Sequence, residues 1–173
     1  METEQLVKDS IKGSDEAFLQ LIHTYKADLY RTAISFLHNH EEALEAIQEV
    51  TYRAYKGIGK LKETSYFKTW LIRIMINYCN DELRSKKRMI INDEMLNSIG
   101  VSENHMEMEI RDVMLDLDDR SREILTLKYF HDLKIKDIAS TMQCPEGTIK
   151  TWLNKALKAL REKLEEKGGN LNV

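Results

Sequence analysis

The feature that most restricts what this chain can fold into is its near lack of helix breakers: 173 residues contain one proline, Pro145, and seven glycines. Proline and glycine end helices and form tight turns. A chain this poor in them and rich in Leu, Ile, Met, Lys and Glu is predicted to be all-α, without a sheet. A hydrophobic fraction of 42% supplies a core, and the length suits two small helical domains. No apolar run approaches the roughly 20 residues that span a bilayer, and the acidic start Met1-Glu2-Thr3-Glu4 is unlike a secretory leader. A cytoplasmic chain, not itself membrane-embedded, is expected.

Apolar spacing places the helices. Phe18, Leu21, Ile22, Tyr25 and Leu29, continued by Ala33, Ile34 and Leu37, share one helical face. Ser14 is the candidate N-cap of this long helix, and a short one precedes it from about Glu4 to Lys12. Asn39 with Glu42 three residues on reads as a capping box. It starts a second long helix with Leu44, Ile47, Val50, Ala54 and Ile58 inward, ended near Gly57 and Gly59. A polar stretch from Lys60 to Ser65 leads to a third, whose inner face is Phe67, Trp70, Leu71, Ile74, Met75 and Tyr78, running out into Arg84-Ser85-Lys86-Lys87-Arg88. Residues 89–110 lose the period and gather Asn, Asp, Glu, Met and Ser, which reads as a flexible acidic linker, poorly ordered when unbound. Beyond it come helices from about Glu107 to Leu117 and Arg120 to Phe130, then a helical pair flanking Gln143-Cys144-Pro145. The predicted organisation is a first domain over 1–88, a linker over 89–110, a second domain over 111–167 and a tail over 168–173.

Charge follows the same divisions. Net charge is only −3, but residues 1–49 hold 4 Lys/Arg against 10 Asp/Glu, 50–88 hold 10 against 3, 89–119 hold 1 against 9, and 120–167 hold 11 against 7. Any one block could be a solvated face; two basic blocks that coincide with motifs carry more weight. Cys79 and Cys144 lie far apart with no second Cys or His at ligand spacing, so neither a metal site nor a disulfide framework is supported, and both thiols are expected to be inert. His38 and His40, at i, i+2, do not share a helical face and fit a solvated helix end. Glu41 and Glu42, Asp118 and Asp119, or Ser121 form no recognisable catalytic set. The chain is read as no enzyme, with no cofactor, no metal and no small-molecule substrate.

The last helical pair has helix-turn-helix grammar. Ile135, Ile138, Ala139 and Met142 share one face of a short helix, and Ile149, Trp152, Leu153, Ala156, Leu157 and Leu160 one face of the next. A small Ala139 permits close approach, and Pro145 suits the first turn of the second helix. Opposite that core face stand Thr148, Lys150, Thr151, Asn154, Lys155 and Lys158, donors suited to phosphates and base edges in a major groove. A lysine-rich helical hairpin would look similar, so this unit alone does not decide.

Several motifs occur together in order. Asp118-Asp119-Arg120-Ser121-Arg122-Glu123-Ile124-Leu125, then Asp137-Ile138-Ala139 and Gly147-Thr148-Ile149-Lys150-Thr151, resemble the promoter-binding C-terminal region of bacterial sigma-70-type sigma factors. Ile47-Gln48-Glu49-Val50-Thr51-Tyr52-Arg53-Ala54-Tyr55 resembles the family's polymerase-binding helix, and Phe67-Lys68-Thr69-Trp70-Leu71-Ile72-Arg73-Ile74 with Asn77 its promoter-melting segment. The likeness covers about residues 15–165, and the compact length resembles the extracytoplasmic-function (ECF) group. Four positions depart from the pattern: Leu44 where an acidic residue is frequent, Asp118 where proline is usual, Gln143 where glycine often closes the turn, and Trp152 where a basic residue is common. A glycine at the turn would tolerate a left-handed backbone that Gln does not readily adopt, so Gln143 suggests a different backbone there.

The resemblance implies an initiation subunit that directs core RNA polymerase to promoters and assists strand opening, in an envelope or environmental stress response. Glu45, Gln48, Glu49 and Arg53 would meet the β and β′ subunits, although Glu45 and Glu49 at i, i+4 also serve plain solubility. Lys60, Lys62, Thr64, Ser65, Lys68, Thr69, Arg73 and Asn77 would meet the minus-ten element as its strands part, and Arg84, Lys86, Lys87 and Arg88 would hold phosphates. The period of Trp70 with Phe67, Ile74 and Tyr78, and that of Trp152 with its own core face, assign both indoles to cores. The second helix of the pair would read the minus-thirty-five element, and the acidic linker would mimic nucleic acid in the polymerase channel. An anti-sigma factor is the further implied partner, one that could hold the chain at the inner face of the membrane. The competing readings are a stand-alone helix-turn-helix regulator, with residues 1–88 sensing or dimerising, and a helical adaptor that touches no nucleic acid.

Overall fold

The computed structural model describes residues 2–92 and 105–168, and the elements among them are helical throughout, with no strand. The chain divides into two compact units, Met1–Leu83 and Arg84–Val173. The all-α expectation holds. The expected disorder of the linker's middle and the tail beyond Gly168 fall outside the described residues.

In the first unit, α1 (Glu2–Ile11), α2 (Asp15–Leu37) and α3 (His40–Gly57) pack in sequence, followed by two 3₁₀ turns, Ile58–Lys60 and Thr64–Tyr66, and by the start of α4 (Phe67–Asn92). Both predicted caps are made. The Ser14 hydroxyl accepts from the Ala17 amide at 3.2 Å, and the Asn39 side chain from that of Glu42 at 3.0 Å. Between them His38 takes a left-handed backbone (φ 53°) that closes α2 one residue before Asn39 opens α3. The inner side of α3 is Ala43, Ala46, Ile47, Val50 and Ala54, small enough to bring its backbone close to α2, where Leu29, Ala33 and Phe36 are buried. Each fully buried Leu or Ile contributes about 2 kcal/mol.

Two expectations in this unit are corrected. Leu44 is 40% exposed, standing outward on α3. On α4 the buried stripe is Phe67, Leu71, Ile72, Met75, Ile76 and Cys79, while Trp70, Ile74 and Tyr78 are half-buried. In the run Leu71-Ile72-Arg73-Ile74-Met75-Ile76, apolar side chains ring the helix, so the period does not fix which side faces the core. Trp70 packs beside Phe67, ring centroids 5.8 Å apart, and over Gly57, where an added Cβ would meet the indole at 3.2 Å.

The second unit contains α5 (His105–Leu115), α6 (Asp119–Leu125), a π-helical turn (Thr126–Phe130), α7 (Ile135–Met142) and α8 (Glu146–Gly168). The helix expected to run to Phe130 therefore changes winding at Thr126. There the Thr126 hydroxyl donates to the Arg122 carbonyl at 2.7 Å, competing for a backbone acceptor. Val113, Leu117, Ile124, Leu127, Ile138, Ile149, Leu153 and Ala156 form the core.

One buried cation organises the junction of α5 and α6. Arg122 is 6% exposed. Its guanidinium donates to the carbonyls of Met114 at 3.0 Å, Leu115 at 2.9 Å and Leu117 at 2.6 Å, and pairs with Asp119 at 3.3 Å. These carbonyls lie at and just past the C-terminal end of α5, where positive charge is favoured. Burial lowers the Arg122 pKa against the opposing pull of Asp119. The same corner is closed by Asp118, which takes the N-cap of α6: it accepts from the Ser121 amide at 3.0 Å and the Ser121 hydroxyl at 2.6 Å.

Arg122→Met keeps the unbranched apolar stem but removes the guanidinium donors from those carbonyls, and should destabilise the second unit by on the order of 3 kcal/mol. Each unit holds one tryptophan, Trp70 and Trp152. Urea unfolding followed by Trp152 fluorescence in a Trp70→Phe background should show the midpoint fall, while Trp70 fluorescence in a Trp152→Phe background should report an unchanged first unit.

Candidate nucleic-acid interface

The helix-turn-helix is built as α7, a tight turn and α8. Gln143 closes α7 in the left-handed conformation itself (φ 54°, ψ 44°), so the expectation of a different backbone is corrected. The turn is held by the Cys144 amide donating to Ala139 O at 3.1 Å, and the Pro145 carbonyl receives the amides of Thr148 at 3.0 Å and Ile149 at 3.3 Å. Pro145 thus stands just before α8, whose first residue is Glu146. Ile149, Leu153 and Ala156 are buried on one side of α8; Lys150, Thr151, Asn154, Lys155 and Lys158 are exposed on the other, with Thr148 half-buried at its edge. The Thr151 hydroxyl donates to the Gly147 carbonyl at 3.0 Å, and Lys158 lies 3.8 Å from Glu162. An exposed lysine pair of this kind is weak and gives way readily to a phosphate.

Trp152 only partly meets its core assignment. It is half-buried, and the guanidinium of Arg120, from the first turn of α6, lies over its ring at 4.1 Å from the centroid. No sequence period could have paired residues thirty-two positions apart.

In the first unit, Glu45, Gln48 and Arg53 are exposed on α3 and Glu49 is half-buried. Arg53 is held by Glu49 at 2.7 Å and lies 5.3 Å from the Tyr78 ring centroid. The face they share also exposes Leu44, Tyr52 at 58% and Tyr55 at 49%, an apolar component the sequence reading missed. Its signal was available: 44, 48, 52 and 55 follow one helical stripe. The Tyr55 hydroxyl donates to Asp15 at 2.8 Å, and its ring meets Phe18 edge-on.

The basic stretch is uneven. Lys60, Lys62, Ser65 and Asn77 are exposed, and Thr64 and Arg73 half-buried. Thr69 is 3% exposed, inside the core, so its assignment to DNA is corrected: it falls on the buried side of α4. The Ser65 hydroxyl donates to Glu63 at 3.1 Å, and Lys68 is paired with Asp28 at 3.3 Å. Burial pushes the Asp28 carboxyl up, but hydrogen bonds and charge from Arg31 and Lys68 outweigh it and hold its pKa below the ordinary value. That stabilisation is present at neutral pH and fades as pH falls through the lowered pKa. In the second unit, Arg84 pairs with Asp119 at 3.0 Å; Lys87 and Arg88 are exposed and Lys86 half-buried.

Cys79 is fully buried, its thiol 3.7 Å from the Met75 sulfur and its pKa pushed up to about 12 by burial, which makes it unreactive at neutral pH. Among the described residues no group of three or more His, Cys, Asp or Glu could hold a metal ion, and no helix is long and apolar enough to cross a membrane.

Family models for Sigma-70 region 2 and Sigma-70 region 4 match residues 21–89 and 107–160, so the fold and the helix-turn-helix define a two-region sigma-70-type initiation factor. The chain is similar to the ECF RNA polymerase sigma factor SigW of Bacillus subtilis strain 168, with 29% identity over 92% of this chain and 95% of that protein. To the RNA polymerase sigma factor SigV of the same strain it is 30% identical, over 83% and 88%. Among solved structures it resembles the sigma factor RpoE in complex with the anti-sigma factor NepR from Bartonella quintana, with a TM-score of 0.63 and 22% identity over 86% of this chain and 96% of that one. This chain belongs to the ECF sigma factors, which direct core RNA polymerase to promoters.

The left-handed Gln143 marks a position where glycine would relieve strain. Gln143→Gly should stabilise the second unit by about 0.5–1 kcal/mol, the gain being reduced by the greater freedom of glycine in the unfolded chain. Thermal unfolding of the full chain should show a midpoint raised by a few degrees.

Proposed function

We propose that the chain divides initiation between its two units, the α8 face reading the minus-thirty-five element and the α3 face holding core polymerase. The observation that carries this is the α8 face itself: Lys150, Thr151, Asn154, Lys155 and Lys158 stand exposed opposite a buried Ile149 and Leu153, on the second helix of a helix-turn-helix. In such motifs this helix enters the major groove. On α3, exposed Leu44, Tyr52 and Tyr55 add apolar area to Glu45, Gln48 and Glu49, a mixture suited to a protein partner rather than to DNA.

The basic stretch Lys60–Asn77, without Thr69, meets the minus-ten element as its strands separate, and Arg84, Lys86, Lys87 and Arg88 follow the phosphates. Lys68 must exchange Asp28 for a phosphate to take part, and Arg84 must leave Asp119. The acidic linker occupies the polymerase channel. The protein works in the cytoplasm without catalytic chemistry of its own, and an anti-sigma factor covers these faces until it is released; the similar sigma factor RpoE is in complex with the anti-sigma factor NepR.

Run-off transcription on pooled bacterial genomic fragments, with purified core polymerase, should give discrete transcripts that depend on this protein. With a control sigma active, no transcripts and no core binding would overturn the proposal in favour of a stand-alone regulator that binds operator DNA by itself. Lys150→Ala with Lys155→Ala should abolish those transcripts and spare core binding. Glu45→Lys with Glu49→Lys should weaken core binding; unchanged affinity would refute the α3 interface.

A further inference from the structure

The pairing of Arg120 with Trp152 sits at the margin of the recognition face. Trp152 is four residues from Thr148 and three from Lys155, so the three are surface neighbours on α8. The indole occupies the strip between the buried Ile149 and Ala156 and the exposed Lys155. Arg120 comes from a different helix, α6, yet its guanidinium lies 4.1 Å from the centre of that ring. An exposed guanidinium over an aromatic face is restrained by the ring's electron density. Its N–H groups remain able to donate to another partner.

The charge carried there is the kind DNA requires. Helix-turn-helix proteins gather phosphate contacts around the groove-bound helix from residues outside it, and these fix the register of that helix without reading sequence. Trp152 itself has no charge, and with Arg120 over it this margin of α8 carries a cation supplied from α6.

We infer that Arg120 is a promoter-binding residue: its guanidinium, held over Trp152, donates to a DNA phosphate beside α8. The inference rests on the proposed minus-thirty-five role of α8, and it assigns Trp152 as the positioning residue for that contact. Because a phosphate is bound, the contribution is the same on different promoter sequences and is sensitive to salt.

The test uses the full chain bound to core polymerase and two fluorescent promoter fragments of different sequence taken from the run-off set, titrated over a range of KCl concentrations. Arg120→Ala should weaken binding to both fragments equally and make the log–log salt slope shallower by about 0.9, the value for one lost phosphate contact. The double variant Arg120→Ala with Trp152→Arg, which places the cation directly on α8, should recover the slope. Arg120 is exposed, so its removal should leave the thermal midpoint in place. An unchanged slope for Arg120→Ala, while Lys150→Ala with Lys155→Ala flattens it, would overturn the inference and leave the α8 assignment standing. If neither variant moved the slope, both would fall. Weaker binding without a slope change, or on one fragment only, would also overturn the phosphate contact.

Discussion

The second unit depends on Arg122. A guanidinium taken almost wholly out of water is costly unless its donors are used, and here they are spent on three carbonyls at the end of α5 and on Asp119. The arrangement fixes the angle at which α6 leaves α5. Through α6 it fixes α8, because α6 packs on α8 and supplies Arg120 to Trp152. The DNA-facing helix is therefore located by a polar corner on one side and an apolar core of Ile124, Ile138, Ile149 and Leu153 on the other. Hydrophobic burial holds these helices together without direction; the guanidinium supplies the direction.

Several of the first unit's charges are arranged in exposed or partly exposed pairs. Lys68 with Asp28 and Arg53 with Glu49 are examples, and Arg84 with Asp119 repeats the pattern in the second unit. Surface pairs of this type contribute about 0–1 kcal/mol each. They order the side chains when the protein is alone, yet the energy needed to exchange a carboxylate for a stronger anion is small. A surface of low-energy pairs can be both well ordered and available.

The helices and their caps were legible in the sequence because they obey local rules: Ser14 and Asn39 both cap where the pattern placed them. The α8 donor face was legible because its polar residues occupy one continuous side. The orientation of α4 was not, since apolar residues surround it from Leu71 to Ile76 and only packing against the other helices selects Ile72 and Ile76 over Ile74. Thr69 was misread for the same reason, and Leu44 because an apolar residue on an amphipathic helix was taken to face inward. Arg122's role and the meeting of Arg120 with Trp152 depend on contacts between elements, which no local period records.

The alanines of α3 carry a consequence for the opposite side of that helix. Ala43, Ala46 and Ala54 are each fully buried, so their methyl groups, together with Ile47 and Val50, set the separation of α3 from its neighbours. Enlarging any of them would lift the helix bodily and shift Leu44, Gln48, Tyr52 and Tyr55 together, without altering one atom of the outer face. The height of the partner-facing surface is thus encoded in residues no partner touches.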